Sequence, residues 1–127
     1  MRIRSRGWRP WAATRSERGM VSAELAVAIP ALAAVVLVLA WLVSLGASQG
    51  VVAQAAHEGA RVAARGESSA AVRTAVAQLA PGARVAIRRS GRSVVVTAVL
   101  TRTPPSRLLR PLGRDVRASA TAWREVP

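Results

Sequence analysis

Residues 24–45 read ELAVAIPALAAVVLVLAWLVSL. After Glu24, the 21 residues from 25 to 45 carry no charge. About 20 apolar residues in a helix cross the core of a bilayer. This run is apolar on every side, so as a helix it needs a wall of protein or lipid all round. The rest of a 127-residue chain is too small to supply that wall. The stretch therefore predicts a single transmembrane helix, with the lipid bilayer as its partner. Pro30 lies inside it. In water an interior proline costs a helix about 3 kcal/mol. Near one end of a membrane helix it is tolerated, and we expect a kink there. Trp41 lies toward the other end and suits the far interface.

Upstream, residues 1–19 form a basic leader with Arg2, Arg4, Arg6, Arg9, Arg15 and Arg18. Positive flanks stay on the cytoplasmic side. Arg61 and Arg65, beyond the span, are farther from the membrane and partly balanced by Glu58. The N-terminus is therefore assigned to the cytoplasm and the C-terminal part to the far side of the cytoplasmic (inner) membrane. Trp8, Pro10 and Trp11 suit a membrane interface. The leader has no helical or strand periodicity, so it is read as unordered until it meets lipid or an enzyme. The organisation is a leader over 1–19, a transmembrane helix over 20–46 and a small extracytoplasmic domain over 47–127.

The formal net charge is +13, and every basic residue is Arg. Such a charge points to nucleic acid, anionic lipid or an acidic partner. Nucleic-acid binding wants Arg interleaved with stacking aromatics or set on a recognition helix. Here the Arg residues cluster before the span or spread thinly after it, so no nucleic-acid partner is assigned. With no Cys there is no disulfide framework and no thiolate metal site. His57 is the single His and has no partner cluster. The acids Glu17, Glu24, Glu58, Glu67, Asp115 and Glu125 are scattered, with no paired spacing for acid–base work. No nucleophile elbow or phosphate loop is present. No enzyme, metal or cofactor is read here.

Downstream, residues 49–64 continue as helix. Val52, Ala55, Ala56, Gly59, Ala60 and Ala63 form a small-residue stripe at helical spacing. Gly59 costs a helix about 1 kcal/mol against Ala, so it predicts close backbone packing. Glu58 and Arg61 sit one turn apart and can pair. Gly66 is the helix stop. Ser68 or Ser69 caps a short second helix with Val72, Val76 and Leu79 as its buried stripe. Pro81-Gly82 ends it. Alternation then begins, with Val85 and Ile87 opposite Arg84, Ala86 and Arg88. Ser90-Gly91 is a tight-turn dipeptide. Ser93–Arg102, rich in β-branched residues, reads as the central strand, stopped by Pro104-Pro105. A loop through Pro111 and Gly113 leads to a third strand over 116–123. There Val116, Ala118, Ala120 and Ala122 share one face. The fold class is α+β, with one long helix, one short helix and a three-stranded antiparallel meander.

The chemistry concentrates at the start of the span. Arg18-Gly19-Met20-Val21-Ser22-Ala23-Glu24 places a Gly before the apolar run and a Glu at the fifth position after it. That is the prepilin-peptidase pattern, in which the enzyme cuts after the Gly on the cytoplasmic side. The new α-amino group would belong to Met20. A carboxylate at a membrane edge is costly and a functional candidate by default. Four residues of helix rise about 6 Å. In a filament of axially offset helices, Glu24 of one subunit can neutralise the Met20 amine of its neighbour and set the register. The alternative is that Glu24 snorkels to the headgroups and caps the helix N-terminus.

The chain resembles the TadE-like minor pilins (pseudopilins) of the tight-adherence, or Tad/Flp, branch of type IV pili. The resemblance rests on the segment from Arg18 to Pro30, where Glu24 and Pro30 match the family's spacing. It extends to Ala55-Ala56-His57-Glu58-Gly59-Ala60-Arg61-Val62-Ala63-Ala64-Arg65 and, more weakly, to Ala118-Ser119-Ala120-Thr121-Ala122-Trp123-Arg124-Glu125. Leu25 departs from the pattern, since an aromatic is more usual after the Glu. The resemblance implies a pilin-like subunit of an adhesion or secretion apparatus. Its partners would be a prepilin peptidase, other pilin subunits and the membrane proteins of pilus assembly.

Two rival readings stand beside it. Ser44-Leu45-Gly46 has the small residues of a signal-peptide cut, although the apolar run exceeds a signal core of about 7–15 residues. The other rival is an unprocessed bitopic adaptor for a membrane complex.

Overall fold

The computed structural model describes the backbone of residues 13–124 and the side chains of residues 19–124. Trp8, Pro10, Trp11, the Arg residues from Arg2 to Arg9 and Glu125 lie outside the described residues. The architecture is α+β. Helix α1 (Ala13–Ala64) is followed by α2 (Ser69–Leu79) and strands β1 (Arg84–Ser90), β2 (Ser93–Arg102) and β3 (Arg114–Trp123). The strands form one antiparallel sheet in the order β1-β2-β3. The chain divides into two compact units, Met1–Leu39 and Ala40–Pro127.

In the first unit the described residues are all α1. It begins earlier than the sequence reading placed it, because residues 13–19 of the leader are already helical. Ala, Arg and Glu are good helix formers. Extending an existing helix upstream also avoids the cost of nucleating a new one. The helix continues through Pro30.

In the second unit the helix stripe meets the sheet. Val52, Ala55, Ala56, Ala60 and Ala63 are buried, as their spacing predicts, and join Val72, Val76, Val94, Val96, Ala98, Val116 and Ala120 in one core. Gly59 is the closest approach. A Cβ there would lie 2.7 Å from Val76 Cγ2 and 3.1 Å from Val96 Cγ1. Trp41 also belongs to this unit. It is only 8% exposed, the sole buried residue within 25–45, rather than turned outward at an interface. Its indole Nε1 is buried with no hydrogen-bond partner among the described residues.

The local signals behave as chemistry requires. Gly66 takes φ +83°, and its N–H donates to Ala63 O at 3.1 Å. Ser68 is the N-cap of α2, its Oγ accepting from the Ala71 N–H at 3.2 Å. The α2 stripe, however, is Val72, Val76 and Ala80; Leu79 is 43% exposed. Leu79, three residues after Val76, lies at the edge of that face in the last turn of the helix. In the hairpin, Ser90 pairs with Ser93, leaving Gly91-Arg92 as the two-residue loop. Gly91 has φ +54° and Arg92 does not take positive φ, the pattern of a type II′ turn. The sheet's inner face carries Val85 and Ile87, then Val94, Val96 and Ala98, then Val116 and Ala120. The β2–β3 connection holds a 3₁₀ helix, Arg107–Leu112, where the sequence reads as plain loop.

Candidate processing and assembly site

Gly19, Met20, Glu24 and Pro30 all lie on α1, so one helix fixes their spacing. Gly19 is exposed, and a Cβ there would meet nothing within 4 Å. Its φ is not left-handed either. A glycine inside a helix costs about 1 kcal/mol against Ala, and at Gly59 the packing explains that cost. At Gly19 nothing in the fold does. Gly46 and Gly50 are equally open, so openness alone does not single out Gly19; its place five residues before Glu24 does.

Met20 is 65% exposed. Glu24 is exposed and makes no hydrogen bond or ion pair among the described residues. Its neighbours one turn away are Met20 and Val21 on one side and Val27 and Ala28 on the other. The carboxylate therefore stands on an apolar surface with no cation one turn away. From Met20 to Glu24 the axial rise is about 6 Å. Pro30 follows by six residues; it lacks the N–H that would donate to Ala26 O, so the ladder is open there.

The other sequence-predicted groups are not drawn into this site. His57 is exposed. Glu58 and Arg61 form the expected surface pair at 3.3 Å. Among the described residues no group of His, Asp or Glu could hold a metal ion.

The sequence reading missed the polar clamp at the start of the second unit. Ser48 is buried. Its Oγ donates to Ser44 O at 2.8 Å and accepts from Arg102 Nε at 2.9 Å. Gln49 Nε2 donates to Arg117 O at 3.0 Å. The only sequence signal was the appearance of Ser44, Ser48 and Gln49 where the apolar run ends; their partners lie 54 and 68 residues away.

The arrangement defines a class: one long helix with a segment apolar and long enough to anchor in a membrane, carrying a small α+β unit. Comparison with family models, curated proteins and solved structures finds no match for the chain.

Proposed function

We propose that this chain is a minor pilin or pseudopilin of a Tad/Flp-type pilus or secretion apparatus. In this reading a prepilin peptidase cuts between Gly19 and Met20 on the cytoplasmic side. The mature helix stays in the membrane until it joins other pilin subunits. The observation that carries the reading is Glu24. It is a carboxylate without a partner among the described residues, on an exposed apolar helix, five residues after a glycine the fold does not require. Such a charge is expensive in an apolar environment unless it is paired. Cleavage would create a cation on Met20, the residue one turn below. Within one chain the helix geometry is fixed; between offset helices the amine of one subunit can meet the carboxylate of the next.

The signal-peptide rival fits the fold poorly. A cut after Gly46 would remove Trp41, which is buried in the second unit, and would take away the Ser44 carbonyl that Ser48 binds. The test is the N-terminal residue of the protein in the membrane fraction. Met20 is expected. Ala47 would establish secretion instead, and an intact Met1 or Arg2 would establish the unprocessed adaptor.

A further inference from the structure

The charge and apolar surface of the β2–β3 connection have no role in the reading above. C-terminal to the apolar run, the exposed large apolar residues among the described ones are Val51, Leu79, Leu108, Leu112 and Trp123. Two of these five sit in the six-residue turn Arg107–Leu112. Leu108 is 91% exposed, more than any other exposed large apolar residue among the described ones. This exposure is built. Ser106 Oγ accepts from the Leu108 N–H at 3.3 Å, Ser106 O accepts from the Leu109 N–H, and Arg110 O accepts from the Gly113 N–H. Pro104 is buried beneath the turn's entry. Around the two leucines stand Arg102, Arg107, Arg110 and Arg114, all exposed. Between residues 102 and 117 there are five Arg and one acid, Asp115.

The location gives this surface its meaning. The turn begins after Arg102 and ends before Arg114, which pair with each other across the sheet. Arg102 is bound to Ser48, three residues beyond Leu45, where the apolar run ends. At the opposite end of the strands, Trp123 and Ala122 line a groove with Arg61, Ala64 and Arg65. From Ser48 to Arg65 the helix climbs about 26 Å. β2 therefore runs back down that length, and its connection to β3 lies at the end where the apolar run finishes. The hairpin at Gly91-Arg92 lies at the other end.

We propose that the Arg107–Leu112 turn is a second membrane contact, to the leaflet from which α1 emerges. Leu108 and Leu112 enter its interfacial layer, and the surrounding Arg residues bind the phosphates of anionic lipids. Apolar side chains flanked by Arg are the composition that holds a peripheral element at such a surface. The inference rests on α1 being the membrane anchor. Its consequence is that the second unit is held down at two points, and so has a fixed tilt on the bilayer.

The chain has no Cys, so a single introduced thiol reports one place. Full-length L108C and R92C are each labelled with a polarity-sensitive fluorophore. They are reconstituted in phosphatidylcholine vesicles containing about 30% phosphatidylglycerol, an anionic surface. The label at 108 should be blue-shifted and quenched by iodide at least about threefold less than the label at 92. R107E/R110E should remove most of that protection, as should omitting phosphatidylglycerol. Equal quenching at both positions overturns the proposal. Protection that is undiminished in pure phosphatidylcholine overturns the preference for anionic lipid. Carbonate extraction of the same vesicles separates the two readings. A retained chain with a water-exposed label at 108 defeats the turn contact alone, whereas a released chain defeats the anchor and the contact together.

Discussion

The two halves of α1 are built from the same apolar alphabet and used in opposite ways. Before Ala40 the helix presents large side chains outward, among them Val27, Ile29, Leu32, Val35 and Leu37, all exposed. After Ser48 its inward face is Ala, Gly and Val, and those residues are buried almost completely. Large side chains gain most from leaving water for hydrocarbon. Small ones gain little by area but let the helix backbone approach α2 and the sheet, as the 2.7 Å distance at Gly59 records. Side-chain size thus separates the exposed segment, which is compatible with lipid, from the segment packed on protein.

The largest test of this contrast is to charge the first half. V35R/V36R places two Arg near the middle of the run, each costing about 2.5–3.5 kcal/mol at the centre of a membrane helix. The chain should move from the carbonate-resistant pellet to the supernatant, while the far-ultraviolet circular dichroism of the β unit persists. A charged chain that stays in the pellet would break the assignment.

Trp41 sharpens the comparison, because it lies in the apolar run yet is buried in the second unit. Trp41→Ala should cost that unit about 3–5 kcal/mol, the usual range for deleting a buried Trp side chain. Membrane integration should not change. Trp41→Phe should be milder, because it keeps a ring and removes a buried N–H that has no partner. Chemical denaturation of the full chain in detergent, followed by circular dichroism, measures both.

The smallest expected effect is also the most diagnostic in sign. Gly59→Ala improves helix propensity by about 1 kcal/mol. Its Cβ, however, would press on Val76, a stiff β-branched side chain that is fully buried. Overpacking typically costs about 1–3 kcal/mol, so the net change should be destabilising. The same substitution at Gly46, where nothing lies within 4 Å, should be neutral or stabilising.

The elements themselves were readable because each is marked locally. Ser68 caps α2, Gly66 and Gly91 take positive φ, and the strands alternate over seven to ten residues. Errors arose where a neighbour distant in sequence decides the outcome. Trp41 reads as an interfacial aromatic, and its burial has no mark in the local sequence. Leu79 looks like the better core residue until Ala80 is found on the packed face. The Ser48–Arg102 bond joins residues 54 apart, and no local pattern encodes it. Conversely, Gly19 and Glu24 were visible as a motif because the fold does not use them. Both stand exposed on the helix, and in the proposed function their chemistry depends on a partner.

That partner gives the most direct test. In the host cell, Glu24→Ala should still be cut after Gly19, because the scissile bond is unchanged, and the shortened chain should stay in the membrane fraction. It should fail to co-purify with other pilin subunits. A Met20 amine left without its carboxylate costs a buried pair about 3–5 kcal/mol, enough to exclude a subunit from a filament. Glu24→Gln, which keeps shape but loses charge, should fall between Ala and wild type. The measurement is the precursor-to-mature mobility shift read beside co-purification. Mature but unassembled Glu24→Ala is the result the account predicts. Full assembly of Glu24→Ala would reduce Glu24 to a residue reaching for the headgroups and contradict the filament role.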